Sequence, residues 1–342
     1  MILHAYKSGF SQVARAKRLV ILTWVLSVAL SLLAALPMLD TLEGYVGPTT
    51  MEEELVDQMS ANWFATFQAD HQTSELVKHL DLTIFGHALF YHHAELYLTG
   101  AIVKGIGSFF IDLLLRFRFS PEHVSLLLLI TVLYGIVWIF FAGGFIGVYA
   151  RNQQGALSEF LSEGVRYFGP FLRLSLFSIL IYFLLFSVVI DPITNLIAPW
   201  TERESSELTP FILYMMRNLA VAALLALLTM GTDYAKIRIV VDDRSSALLA
   251  FFAGLWFGLR QFPRTGGLYV LLSFTGFVLI GLYAVVESQI PQTGYFSILV
   301  IFLFQQIYMV MRLTLKAGFY AAQTSIYSTI IRREHTASTP MP

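Results

Sequence analysis

FIGVYARNQQGALSEFLSEGVRYFGPFLRLSLF, residues 145–177, decides how this chain is read. It opens at the end of an apolar run, passes Arg151 and a short polar stretch, continues through an amphipathic segment, and becomes apolar again beyond Pro170. A chain that leaves one apolar solvent, crosses water and returns is a pair of membrane spans with an interfacial link between them. The same texture recurs at 231–275, so the link is read as one copy of a repeated unit.

Composition agrees. The chain is 56% hydrophobic and 13% charged, with a mean hydropathy of +0.68, whereas soluble domains carry about 25% charged residues. Net charge is −1, so no overall basic field draws in nucleic acid. Cysteine is absent, which excludes disulfide and thiol chemistry.

Working outward, residues 19–39 follow Lys7, Arg15, Lys17 and Arg18 and form span one, read as a signal anchor because the run exceeds an ordinary signal-peptide core. Span two covers 124–150, with Gly143 and Gly147 at the spacing that lets helices approach closely. Span three covers about 171–190 and is broken by Asp191-Pro192; span four covers about 211–232, span five about 268–287, and span six runs from Tyr295 to about Leu315 before a helical tail. With this threading, 16 of the 22 Lys and Arg fall on the side of both termini. Positive-inside bias therefore places both termini in the cytoplasm of a bacterial inner membrane.

The tetrads Gly147-Val148-Tyr149-Ala150, Thr232-Asp233-Tyr234-Ala235 and Gly318-Phe319-Tyr320-Ala321 end spans two, four and six, their tyrosines 85 and 86 residues apart. The expected fold is all-α: a polytopic membrane protein with six transmembrane helices as three hairpins, each preceded by an amphipathic cytoplasmic element, and a helical extracytoplasmic insertion. The domains are 1–39 (cytoplasmic N-terminus and span one), 40–123 (insertion), 124–333 (a five-span bundle) and 334–342 (a disordered tail).

Candidate chemistry is sparse. Five of the eight histidines lie within 71–93, and His79, His87, His92, His93 and Glu95 are the candidate metal ligands of the insertion. Glu75/His79 and His92/Glu95 each share a helical face, but no HExxH is present and the pattern suits interfacial histidines better. Gln305 and Gln306 fall near the middle of span six and are read as hydrogen bonds to a neighbouring helix. Tyr149, Arg151, Arg166, Tyr167, Arg244, Trp256, Arg260 and Arg264 are the candidate contacts to lipid headgroups or a partner, with Tyr149, Arg151, Arg166 and Tyr167 expected to be the most exposed of the first link.

SEFLSEGVRYFGPFLRLSLFSILIYFLL and GTDYAKIRIVVDDRSSALLAFFAGLWFGLRQFPRTGGLYVLL resemble the cytoplasmic segments of uncharacterised bacterial six-span proteins. They are loosely similar to the membrane domain found beside some glycerophosphodiester phosphodiesterases. The likeness covers about 145–330 and is one of texture. The catalytic domain of those enzymes has no counterpart here, so the resemblance implies no catalytic residue. The expectation is a non-enzymatic integral membrane scaffold or accessory subunit without a cofactor, whose partners are phospholipids and other membrane subunits. A transporter or lipid-handling protein is the alternative, and a metalloenzyme using the insertion's histidines is the third reading.

Overall fold

The structure, a computed structural model, describes residues 1–46, 61–71, 100, 104–107, 126–201, 206–243, 246–290 and 295–338. Among the described residues it is 92% helical with no strands, and six helices are long and apolar enough to cross a membrane. The all-α, multi-span class read from the sequence is therefore observed. In chain order the helices are α1 (Ile2–Arg15), α2 (Lys17–Val46), α3 (Ala61–Asp70), α4 (Leu126–Ala150), α5 (Leu157–Leu184), α6 (Asp191–Thr201), α7 (Leu208–Val241), α8 (Ala247–Arg260), α9 (Phe262–Glu287) and α10 (Tyr295–Ser338).

Two boundaries differ from the sequence reading. Asp191-Pro192 does not break span three: a π-helical stretch, Leu185–Ile190, joins α5 to α6. The wider π turn shifts the hydrogen-bond register just where Pro192 has no N–H to donate, so the chain stays helical. The Asp191 carboxylate is held by the Lys104 ammonium at 2.7 Å. At the other end α10 is a single helix through Ser338, so residues 334–338 are helical rather than part of a tail.

The helices meet in a ring. The first turns of α5 pack on the end of α4, those of α8 on the end of α7, and α1 lies along α10, so the N-terminal helix closes the circle on the last one. Each junction depends on glycine. A Cβ on Gly254 of α8 would stand 2.5 Å from the Ala235 nitrogen and 2.7 Å from the Gly231 carbonyl oxygen of α7. One on Gly9 of α1 would stand 2.7 Å from the Ala322 nitrogen of α10, and Gly144 and Gly147 of α4 press on Phe160 and Glu163 of α5. Such backbone contact is open only to residues without a side chain.

Register repeats with the glycines. Gly9, Gly164 and Gly254 each follow, by four residues, a buried side chain: Ala5, Phe160 and Ala250. Seven residues after Gly9 and Gly254 the helix kinks, at Ala16 (φ −98°, ψ 24°) and Gln261 (φ −103°, ψ 22°). The matching position in α5, Phe171, follows Pro170 within an unbroken helix.

Burial concentrates at this ring. In α7 the run Met230–Val240 holds nine buried residues, whereas Val221 is the only buried residue before it. Phe145, Tyr149, Tyr234, Ile237, Tyr320 and Tyr327 sit in the same core cluster. The opposite halves of the spans are far less enclosed: only 6% of the most apolar window of α7 and 11% of those of α9 and α10 is buried.

Candidate functional site

The link after α4 is built by a tight turn. The N–H of Gln153 donates to the Val148 carbonyl at 3.0 Å, Asn152 takes φ 51°, and Gly155 takes φ 79° where it touches Ala16. Asn and Gly are the residues that accept the left-handed region at least cost. α5 then begins with the Glu159 carboxylate accepting from the Ala156 N–H at 3.0 Å.

The charges of this link are tied into the ring. Arg151 forms an ion pair with Glu163, which is 4% exposed, and donates from Nη2 to the Tyr167 hydroxyl at 3.2 Å. Tyr167 donates to the Val240 carbonyl at 3.4 Å. Arg166 donates to both carboxylate oxygens of Asp243 at 3.1 Å. Beside it the Tyr327 hydroxyl donates to Asp242, 3.1 Å from each oxygen, while Arg238 donates to Asp242 at 3.2 Å and to the Ala253 carbonyl at 3.2 Å. One cross-linked set of groups thus joins α4, α5, α7, α8 and α10.

That network corrects the expected exposure. Arg151 and Arg166 reach the surface, but Tyr149 is 4% and Tyr167 3% exposed, and both belong to the core. Their rings fill the space that the glycine contacts leave between α4 and α5, and Tyr149 stacks on Phe145 at 5.9 Å. Trp256, Arg260 and Arg264 do face outward from the second link, beside exposed Leu249 and Phe252; Arg264 bonds the Gln261 side chain at 3.0 Å. Arg244 lies outside the described residues, as do His79, His87, His92, His93 and Glu95. Among the described residues no group of three or more His, Asp or Glu is placed to hold a metal ion.

A second polar feature runs along α10. Gln306 Oε1 accepts from Trp24 Nε1 at 3.1 Å, joining α10 to α2 as an interhelical bond of the expected kind. Gln305 lies on a different face, which continues through Tyr308, Arg312, Lys316, Tyr320 and Tyr327 at steps of three, four or seven residues. At 100° per residue these occupy about a third of the circumference. The stripe meets other helices throughout: Tyr308 packs on Tyr283 of α9 with centroids 4.5 Å apart, and Lys316 lies 3.8 Å from the ring centroid of Trp138 in α4. Lys236 of α7 stands 5.9 Å over Tyr320 and pairs with Asp233 at 3.2 Å. Sequence reasoning assigned Lys236, Arg312 and Lys316 only to charge at the membrane face. The spacing of the stripe was the available signal.

A separate open groove of about 320 Å³ lies between α1, α2 and α10, lined by Phe10, Val13, Lys17, Val20, Val310 and Thr314. Gln305, Gln306 and Tyr308 are not part of its wall. Comparison of the chain with protein-family models, curated proteins and solved structures finds no match to any of them.

Proposed function

We propose that this protein is a non-enzymatic membrane scaffold or accessory subunit whose spans contact lipid and partner helices. One observation carries the reading: the ring end is locked by backbone-to-backbone contacts and buried polar bonds, while among the described residues the opposite halves of α7, α9 and α10 leave most of their apolar side chains exposed or half-buried. Leu219, Phe274, Phe277 and Val285 are among the large side chains so exposed. A rigid base holding spread apolar helices suits lateral packing in a bilayer, where close-fitting faces rather than water exclusion drive association.

The outward cations Arg260 and Arg264 beside Trp256 support phospholipid contact at the interface, each cation contributing about 1 kcal/mol near an anionic leaflet. The Lys and Arg count supports a bacterial inner membrane with both termini cytoplasmic. Native mass spectrometry of material released in mild detergent should show another subunit together with retained phospholipid. A lone monomer, with no co-migrating subunit, overturns the scaffold reading.

A transporter or lipid-handling role is the second reading, favoured by the polar stripe of α10 facing α4, α7 and α9. It requires a solute-dependent or lipid-dependent flux in vesicles holding the purified chain alone, which the scaffold reading does not.

A further inference from the structure

We propose that Lys236, Arg312 and Lys316 form a binding site for a phosphate group, where α4, α7 and α10 meet. The inference does not depend on the scaffold reading. Arg312 and Lys316 lie one turn apart on α10, are both solvent-accessible, and form no ion pair with any described residue. Lys236 stands 5.9 Å over the ring of Tyr320, which lies one turn after Lys316 and two after Arg312 on α10, and Lys236 pairs with Asp233, so the four groups share one neighbourhood. Asp233 is the single carboxylate among them and is already taken by Lys236. Three basic side chains therefore stand near one carboxylate.

Such an excess is costly where water is scarce, because repulsion among like charges grows as the surroundings become less polar. A cation that only sought bulk headgroups would reach for the nearest membrane face. Lys316 instead has its ammonium 3.8 Å from the ring centroid of Trp138 on the neighbouring α4. Side chains on a helix tilt toward its N-terminus, and both α7 and α10 run toward the ring, so Lys236 and Lys316 both tilt back from the ring end. Tyr320 and Trp138 present their aromatic faces to Lys236 and Lys316 respectively.

A phosphate group answers this arrangement better than a carboxylate does. It supplies up to two negative charges and three acceptor oxygens, enough for one guanidinium fork and two ammonium groups at once. A phospholipid headgroup and free phosphate share that chemistry.

The full-length chain is placed in phosphatidylcholine nanodiscs containing a minor fraction of phosphatidic acid, and the anionic lipid retained per chain is counted by native mass spectrometry. The expected result is saturable retention of phosphatidic acid that falls roughly tenfold or more in Arg312→Gln/Lys316→Gln and is unchanged in Arg173→Gln. Inorganic phosphate is titrated in parallel. Displacement of the lipid by phosphate identifies soluble phosphate as a competent ligand, and retention of the lipid identifies the headgroup as the ligand; each supports the site. Should the double variant not fold, amine labelling of the wild-type chain gives an independent reading, with Lys236 and Lys316 protected by phosphatidic acid or by phosphate and Lys7 not. Equal lipid retention in wild type and double variant, or labelling of Lys236 and Lys316 that neither ligand alters, overturns the proposal.

Discussion

The two ends of α7 make the comparison that organises this molecule. From Leu208 to Thr229 the helix is apolar yet only Val221 is buried, the rest being half-buried or exposed, while from Met230 to Val240 nearly every residue is buried, Thr232 and Asp233 included. Hydropathy alone would rank the first half as the core. The difference shows that in this chain burial follows small residues and polar cross-links rather than apolarity. A bilayer rewards close backbone approach more than it rewards hiding a leucine.

Glycine substitutions test that contrast most severely. Gly254→Ala drives a methyl into the backbone of α7, with an expected loss of about 3 kcal/mol of overpacking. Gly135→Ala and Gly281→Ala meet nothing within 4 Å and should instead gain roughly 0.5–1 kcal/mol from helix propensity. Thermal unfolding in one detergent checks both signs. If Gly254→Ala stabilises as well, the ring is not the tight end of the molecule.

Next in size is Tyr327→Phe, which leaves the Asp242 carboxylate to Arg238 alone. Removing one bond to a charged group costs about 1.5–3 kcal/mol, read as a lowered unfolding midpoint. At the open end Trp24→Phe removes the bond to Gln306 and should cost only about 0.6 kcal/mol, since its partner can re-pair in the membrane. Phe277→Ala, at an uncovered position on α9, should move the stability of the isolated chain by less than about 0.5 kcal/mol. The same change should reduce recovery of any co-purifying subunit. Smallest of all is Arg166→Gln at the exposed pair with Asp243, worth about 0.5 kcal/mol or less and fading as salt is added.

Much of the architecture was legible in the residue order. Runs of twenty or more apolar residues admit few alternatives to spans, and the recurring Tyr149, Tyr234 and Tyr320 mark equivalent helix ends by their spacing alone. The nature of those ends was less legible. A tyrosine near a membrane face ordinarily suggests an exposed belt, and only the close approach of α4 and α5 through Gly144, Gly147 and Gly164 shows why Tyr149 and Tyr167 are enclosed. Asp191-Pro192 looked like a terminus because the rule against proline within a helix holds for α geometry, and a π stretch relaxes it.

By itself, then, the sequence determined the solvent of the chain, the number of spans and the period of its repeat, since these follow from local hydropathy and spacing. Tertiary structure alone decided that α1 closes the ring on α10, that Arg151 belongs to buried Glu163, and that Lys236 of α7 stands over Tyr320 of α10 while Lys316 stands over Trp138 of α4. Each of these joins residues far apart in the chain, and such a meeting depends on which helix faces come together in space. No local pattern of residues encodes that choice.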